Sequence, residues 1–405
     1  MRNVSDPTHR DNPVATFRSL PISLVLLWLV GNALRLSILA VPPVIPALRS
    51  EFNLSGTDIG ILTSLPVVLF AAAALAGSRL VAGLGAVTAV VIGLMLTGLG
   101  SALRGAAWDV TTLFAATVVM GAGVAVTQPA MPALVGRWLP DRIGLGTGIY
   151  TNGLLVGEIL PVALFPLLLA FPGGGWRGTF IFWAAPTVVI AFLVLALSPR
   201  EPYKRIAVSP RWLPVIRARD VFRLAFVFAS ASAVYFGANA FLPGYLTEAG
   251  RPDLISPALT ALNVGQLPAS LCLIGFGRQL EARAWPFVAA GLVSISCIVG
   301  IVTTASAVTV ACAAGLGFAA GGAFALGLTL PPLLSTPTEV ARVSGAMFTI
   351  SYASTVVVSV LSGALWDLTG AARVAFLPIA LAAVPSIVLV LTIRFDRRPR
   401  VGAQE

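Results

Sequence analysis

PISLVLLWLVGNALRLSILAVPPVIP, running from Pro21 to Pro46, decides how the rest of the 405-residue chain is read. At a rise of 1.5 Å per residue the stretch is long enough to cross roughly 30 Å of hydrocarbon as a helix. Near its middle stands Arg35, a charge that costs on the order of 3 kcal/mol at the centre of a membrane helix and tends to be retained for a ligand, a partner or a pathway.

Composition supports a membrane setting. Hydrophobic residues make up 57% of the chain and charged residues 10%, with a mean hydropathy of +0.93. A soluble domain of this size does not hide so much apolar surface. Comparable apolar stretches recur along the whole sequence. The reading gives an all-α integral membrane protein of twelve transmembrane helices, expected at 21–46, 57–83, 86–106, 109–136, 142–170, 178–198, 221–246, 255–280, 285–305, 308–334, 341–366 and 372–395. Gly83 and Gly85 provide the turn between the second and third.

Orientation follows from the basic residues. With the N-terminus inside, every Lys and Arg falls in a cytoplasmic segment except Arg35, Arg49, Arg104, Arg177, Arg251 and Arg373, the last five assigned to opposite loops. The positive-inside rule places both termini in the cytoplasm. The formal net charge of +10 is spread over tails and inner loops, where it meets anionic lipid headgroups, so no nucleic-acid partner is expected. Arg2, Arg10 and Arg18 before the first apolar run mimic a signal peptide. That run is too long and lacks a small-residue cleavage site, so it is read as helix 1.

The longest polar interruption, Ser198 to Asp220, is basic and proline-rich. It divides the chain into a cytoplasmic tail (1–20), a six-helix bundle (21–198), a linker (199–220), a second six-helix bundle (221–395) and a C-terminal tail (396–405). The halves echo each other at an offset of about 200 residues: Arg142 with Arg342, Pro43 with Pro243, and the GAG of Gly121–Gly123 with the GLG of Gly315–Gly317. Duplicated six-helix halves are the architecture of a secondary transporter with a midplane site.

Polar side chains inside the spans identify a candidate site. Helix 1 has Asn32 and Arg35 three apart, on one face, with Trp28 a turn earlier. Helix 4 supplies Gln128, helix 5 Tyr150, Asn152 and Glu158, helix 7 Tyr235 and Asn239, helix 8 Asn263 and Gln266, and helix 11 Tyr352. Arg35, Glu158 and Asn239 each lie about four turns in from the cytoplasmic start of their helices, hence on one level. The expected substrate site is Arg35, Asn32, Gln128, Tyr235, Asn239, Tyr352 and Glu158. Helices 3, 6, 9 and 12 carry little at depth and are expected to face lipid.

Three roles fit Arg35: substrate contact, a permanent structural pair with Glu158, or snorkelling. Its guanidinium is a planar fork of donors suited to a carboxylate, a nitro group or a linear anion. Glu158 fits a proton site, a cation ligand or a counter-ion to Arg35. Burial raises its proton affinity and a nearby Arg35 lowers it, so its charge state depends on what occupies the arginine. The amides of Gln128, Asn239, Asn263 and Gln266 fit interhelical packing equally well. The glycines of helices 4, 5 and 10 are read as close-packing surfaces, and Pro42, Pro43 and Pro46 as helix-ending or bending residues.

An enzyme is not expected. The single histidine, His9, lies in the N-terminal tail, the spans hold no close acidic pair, and no nucleotide-binding loop occurs. Cys272, Cys297 and Cys312 fall inside expected helices and read as small core residues. No cofactor or metal is implied.

The residues resemble the cyanate and nitroimidazole transporters of the major facilitator superfamily. The likeness covers nearly the whole chain and is carried by NALRLSILAVPPVIPALR (Asn32–Arg49), TSLPVV (Thr63–Val68), QPAMPALVGRW (Gln128–Trp138), NAFLPGYL (Asn239–Leu246), GGAFALGLTL (Gly321–Leu330) and DLTG (Asp367–Gly370). The resemblance implies a twelve-helix fold, alternating access, and a small polar or anionic substrate near Arg35, with Gln128, Asn239 and Tyr352 at family positions. Three differences stand out. GSRLVAGLGA (Gly77–Ala86) keeps Arg79 but lacks the acidic residue of the signature between helices 2 and 3. Glu158 replaces a small residue, and Phe348 stands where relatives often carry glutamine.

The expectation is a monomeric secondary transporter of a small polar organic solute or anion, in the inner membrane of a bacterium, anchored by Arg35 and coupled to protons through Glu158. A proton-driven exporter of lipophilic cations that uses Glu158, and a sensor that keeps the fold without transport, are the alternatives. The single lysine, Lys204, beside many arginines, alanines and glycines points to a GC-rich bacterium.

Overall fold

The computed structural model describes residues 13–139, 142–171, 174–198, 218–280, 283–334, 340–393 and 395, with the side chains of 13–19, 71–82, 129, 143–144, 218, 273–275, 277–278, 332–334 and 340–342 outside that description. The N-terminal tail to Asn12 with His9, the linker over 199–217, the C-terminal tail over 396–405 and the side chains of Arg79 and Arg342 thus fall outside it.

The described residues contain helices and turns and no strand. In chain order the helices are α1 (Pro13–Leu39), α2 (Ile45–Phe52), α3 (Gly56–Leu84), α4 (Ala86–Gly105), α5 (Val110–Trp138), α6 (Ile143–Ala163), α7 (Phe165–Leu169) and α8 (Trp176–Leu197), then α9 (Ala218–Glu248), α10 (Ile255–Val264), α11 (Gln266–Leu280), α12 (Trp285–Thr304), α13 (Ala307–Leu334), α14 (Val340–Thr369), α15 (Phe376–Ala382) and α16 (Val384–Val388). Among the described residues, nine helical segments are long and apolar enough to cross a membrane.

Where the expected and observed helices differ, proline or glycine explains it. The stretch 21–46 is not one helix: α1 ends at Leu39, a 3-10 turn covers Pro42–Val44, and α2 resumes at Ile45. Pro42 has no N–H to give, and the Val41 N–H turns to the Ile38 carbonyl at 3.3 Å. The Ser37 carbonyl, freed from the ladder, accepts from Arg104 Nη2 at 2.6 Å. The expected helix 255–280 breaks at Gly265, and 372–395 is divided into short pieces by Pro378 and Pro385. Gly85, at φ 88, makes the expected turn between α3 and α4 in the left-handed region.

Arg104 is a correction to the loop assignment. It ends α4, is fully buried and lies over the Phe180 ring at 4.4 Å. Cys272 is exposed rather than a core residue, while Cys297 and Cys312 are half-buried.

Helix packing follows small residues. α1 lies along α6, α4 along α5 and α8, and α3 along α5; α9 and α14 pack together, and α13 contacts α10, α11 and α12. α3 against α14 and α6 against α10 join these sets. On α8, Ile181, Phe182, Val189, Phe192 and Leu195 are exposed, as are Leu292, Val293 and Val299 on α12. Such faces, with the backbone bonded inside each helix, suit hydrocarbon rather than water.

One end of the molecule is sealed. Asp367, at the end of α14, accepts from the Gly56 N–H at 2.5 Å, the Thr57 N–H at 2.8 Å and the Thr57 hydroxyl at 2.5 Å, capping α3 from another helix. A Cβ at Gly56 would press on the Gly363 carbonyl at 2.7 Å. Beside this contact, Arg49 lies over Trp366 at 3.9 Å, and Ser256 donates to the Val162 carbonyl at 2.8 Å.

Candidate functional site

The centre of the molecule is organised by the approach of α1 to α6. A Cβ at Gly31 would strike the Tyr150 carbonyl, one at Gly153 the Trp28 carbonyl and one at Gly157 the Asn32 carbonyl. Glycine at these positions lets the backbones touch, so side chains one turn further on face each other at short range. Arg35 on α1 and Glu158 on α6 are those side chains. Their Nε and Oε1 are 3.3 Å apart, and the two residues are 7% and 5% exposed.

The pair is not a closed fork. Arg35 Nε and Nη1 have no aligned hydrogen-bond acceptor among the described residues. The guanidinium carbon sits 5.9 Å from the Phe236 ring centre. Glu158 Oε2 accepts from Gln266 Nε2 at 2.8 Å, tying α6 to α11.

The other expected residues gather here to different degrees. Tyr235 is buried on α9 within interaction range of Glu158, Arg35 and Gln266, and its hydroxyl donates to Asn263 Oδ1 at 2.5 Å. Tyr352 on α14 neighbours Gln128 and lies within electrostatic reach of Arg35, Glu158 and Tyr150. Its ring stacks on Phe348 at 5.7 Å and meets Phe70 edge-on at 5.9 Å. Asn32 is buried one turn before Arg35, its Nδ2 without a partner among the described residues. Asn239 belongs to an adjoining network: it donates to the Tyr235 carbonyl at 3.0 Å and accepts from Asn263 Nδ2 at 3.3 Å.

Two contributors lie outside the expected set. For the amides of Gln266 and Asn263 both a site role and interhelical packing are open from the sequence; Gln266 bonds the buried carboxylate and Asn263 links Tyr235 to Asn239. The signal for Gln266 is its position after Gly265, where the helix breaks and exposes a polar turn inside the bundle. Asn152 bonds Trp28 Nε1 at 2.9 Å at an exposed edge.

Chemically, this is a buried cluster of one guanidinium, one carboxylate, tyrosine hydroxyls and several amides beside aromatic rings. Among the described residues, no three His, Cys, Asp or Glu side chains converge as a metal site would require.

Comparison with known proteins finds transporters among the relatives of this chain. The chain is 28% identical over 261 residues to the cyanate transport protein CynX of Escherichia coli (strain K12), covering 64% of this chain and 68% of that protein. It is 23% identical over 281 residues to the 2-nitroimidazole transporter of the same organism, covering 68% and 69%. In fold it matches the inward open xylose transporter XylE from E. coli with a TM-score of 0.76, at 11% identity over 94% of this chain and 97% of that one. The family model of the Major Facilitator Superfamily matches residues 27–284 of the 405. The protein belongs to the Major Facilitator Superfamily, as a multi-pass membrane transporter and not an enzyme.

Proposed function

We propose that the protein is a secondary transporter of a small polar solute or anion, with Arg35 as the substrate anchor and Glu158 as its internal competitor and proton site. The observation that carries this reading is the Arg35–Glu158 pair: buried, 3.3 Å apart, with guanidinium donors left unbonded. A buried cation that lacks a full set of acceptors is costly, and an anionic or nitro-bearing ligand supplies what is missing. Relatives that carry cyanate and 2-nitroimidazole support that ligand class.

In this reading the chain has twelve transmembrane helices in two six-helix halves, 21–198 and 221–395, with both termini cytoplasmic, and acts as a monomer in a bacterial inner membrane. The sealed end held by Asp367 then faces away from the cytoplasm. Alternating access rocks the halves about the central cluster and opens this end when the Asp367 cap is released.

A thermal-stability screen of the purified protein against cyanate, nitrate, 2-nitroimidazole, short carboxylates and lipophilic amines tests the reading, since a ligand of the folded state raises its apparent stability. Stabilisation by anions or nitro compounds is expected. Stabilisation by amines alone would favour the second reading, a proton-driven exporter of lipophilic cations, which has its own support in the aromatic rings near the Arg35–Glu158 pair, Phe236 beside Arg35 and Tyr352, stacked on Phe348, within reach of Glu158. A non-transporting sensor is refuted by substrate-dependent flux in vesicles.

A further inference from the structure

The length of the Arg35–Glu158 contact calls for a cause. An arginine facing a free carboxylate in a dry site closes into a bidentate fork at about 2.7–2.9 Å, because each charge-assisted bond is stronger there than in water. Here the nearest approach is 3.3 Å, and neither Arg35 Nε nor Nη1 has an aligned acceptor. The other carboxylate oxygen is occupied: Gln266 Nε2 holds Oε2 at 2.8 Å. One carboxylate is being drawn in two directions.

Gln266 is itself fixed. It begins α11 directly after the Gly265 break, and α11 packs on α13. There Gly321 leaves the room its side chain uses: a Cβ at Gly321 would meet the Gln266 Cγ at 2.9 Å. Tyr235 stands within reach of both Gln266 and Glu158. The amide is thus placed by packing and its donor direction is set.

We propose that Gln266 is a positioning residue that holds the Glu158 carboxylate off Arg35, so that the guanidinium of the empty site stays unsaturated and open to an anion. The proposal rests on the reading of Arg35 as the anchor. Gln266 sets how strongly Glu158 competes with substrate, and without it the carboxylate closes on the arginine and the site inhibits itself. The ordinary alternative is that Gln266 only satisfies a buried oxygen, in which case its loss lowers stability and leaves Arg35 as it was.

The two are separated by the reactivity of Arg35 toward phenylglyoxal, followed by peptide mass spectrometry on the full-length protein in detergent. Gln266→Met keeps the length of the side chain and removes the donor. We expect it to slow Arg35 modification by about tenfold, equivalent to about 1.4 kcal/mol, and to weaken cyanate binding in parallel. Adding Glu158→Gln to Gln266→Met removes the carboxylate that would close, and both measurements should return to the level of Glu158→Gln alone. Gln266→Leu serves as a second variant if the first is unstable.

Unchanged Arg35 reactivity in Gln266→Met overturns the proposal, as does an equal loss in the single and double variants, or a wild-type arginine that resists the reagent. Because the reagent reports on the arginine without a substrate, the proposal is judged even where cyanate does not bind. Failure of wild-type protein to bind cyanate and every other anion or nitro compound counts against the anchor reading, not against the hold of Gln266 on Glu158.

Discussion

Arg35 and Glu158 meet 3.3 Å apart across a helix contact in which glycine backbones touch, and Glu158 is at the same time bonded to Gln266 on a third helix. The pair therefore depends on packing as much as on charge. Each member is poised between a protein partner and a ligand.

The first consequence concerns the glycines. A methyl at Gly153 would press on the Trp28 carbonyl, which cannot swing aside as a side chain would. Gly153→Ala should destabilise the protein by about 1–3 kcal/mol, the usual cost of overpacking, and widen the Arg35–Glu158 gap. Gly148, with nothing within 4 Å of its added Cβ, is the control: Gly148→Ala should leave the melting temperature in detergent unchanged, and equal losses in both variants would contradict this account.

Arg35→Lys keeps the charge and loses the planar fork. If the ligand is an anion or nitro compound held by paired N–H donors, binding should fall by at least about tenfold, since lysine is a point charge without that geometry. Isothermal titration with the ligand found in the stability screen reads this directly, and wild-type affinity in the lysine variant would leave only a Coulombic role.

Glu158→Gln should uncouple transport from a pH gradient while preserving counterflow, because the amide cannot take up and release the proton. The same change removes the internal competitor of substrate. Proton-driven accumulation that survives intact in proteoliposomes would make Glu158 a structural counter-ion.

At the sealed end, Asp367→Asn keeps the shape but removes the charge that caps α3. The bonds to Thr57 are solvent-exposed and each contributes about 0.5–1.5 kcal/mol or less after screening, enough together for this end to open more often. With the native cysteines replaced, Leu242→Cys, a fully buried position two residues before the Gly244 that packs on Trp366, should react faster with a membrane-impermeant thiol reagent in the Asp367→Asn background. An unchanged rate would show that the Gly56–Gly363 contact closes this end without the cap.

The membrane character and the chemistry of the centre were legible because an arginine and a glutamate inside apolar runs have few bland explanations, and because the depth of Arg35 and Glu158 can be counted from the starts of their helices. Helix continuity was less legible. Pro42 and Gly265 mark where a helix can bend or end, but the sequence does not say what the freed groups meet, so neither the Arg104 donor to the Ser37 carbonyl nor the partner of Gln266 could be read from it. Arg104 was misread for the same reason: its place near a helix end resembles a loop charge, and only the freed carbonyl of Ser37 explains its burial. The partner of Glu158 across the bundle was hidden too, since the contact of α6 with α10 and α11 joins residues more than one hundred positions apart.

Uptake by proteoliposomes holding either wild-type protein or Arg35→Ala, both verified as folded by size-exclusion chromatography, tests the central claim most directly. The account predicts saturable uptake of the stabilising anion or nitro compound by the wild type and none above empty liposomes for the alanine variant. Transport by Arg35→Ala at the wild-type rate would contradict it.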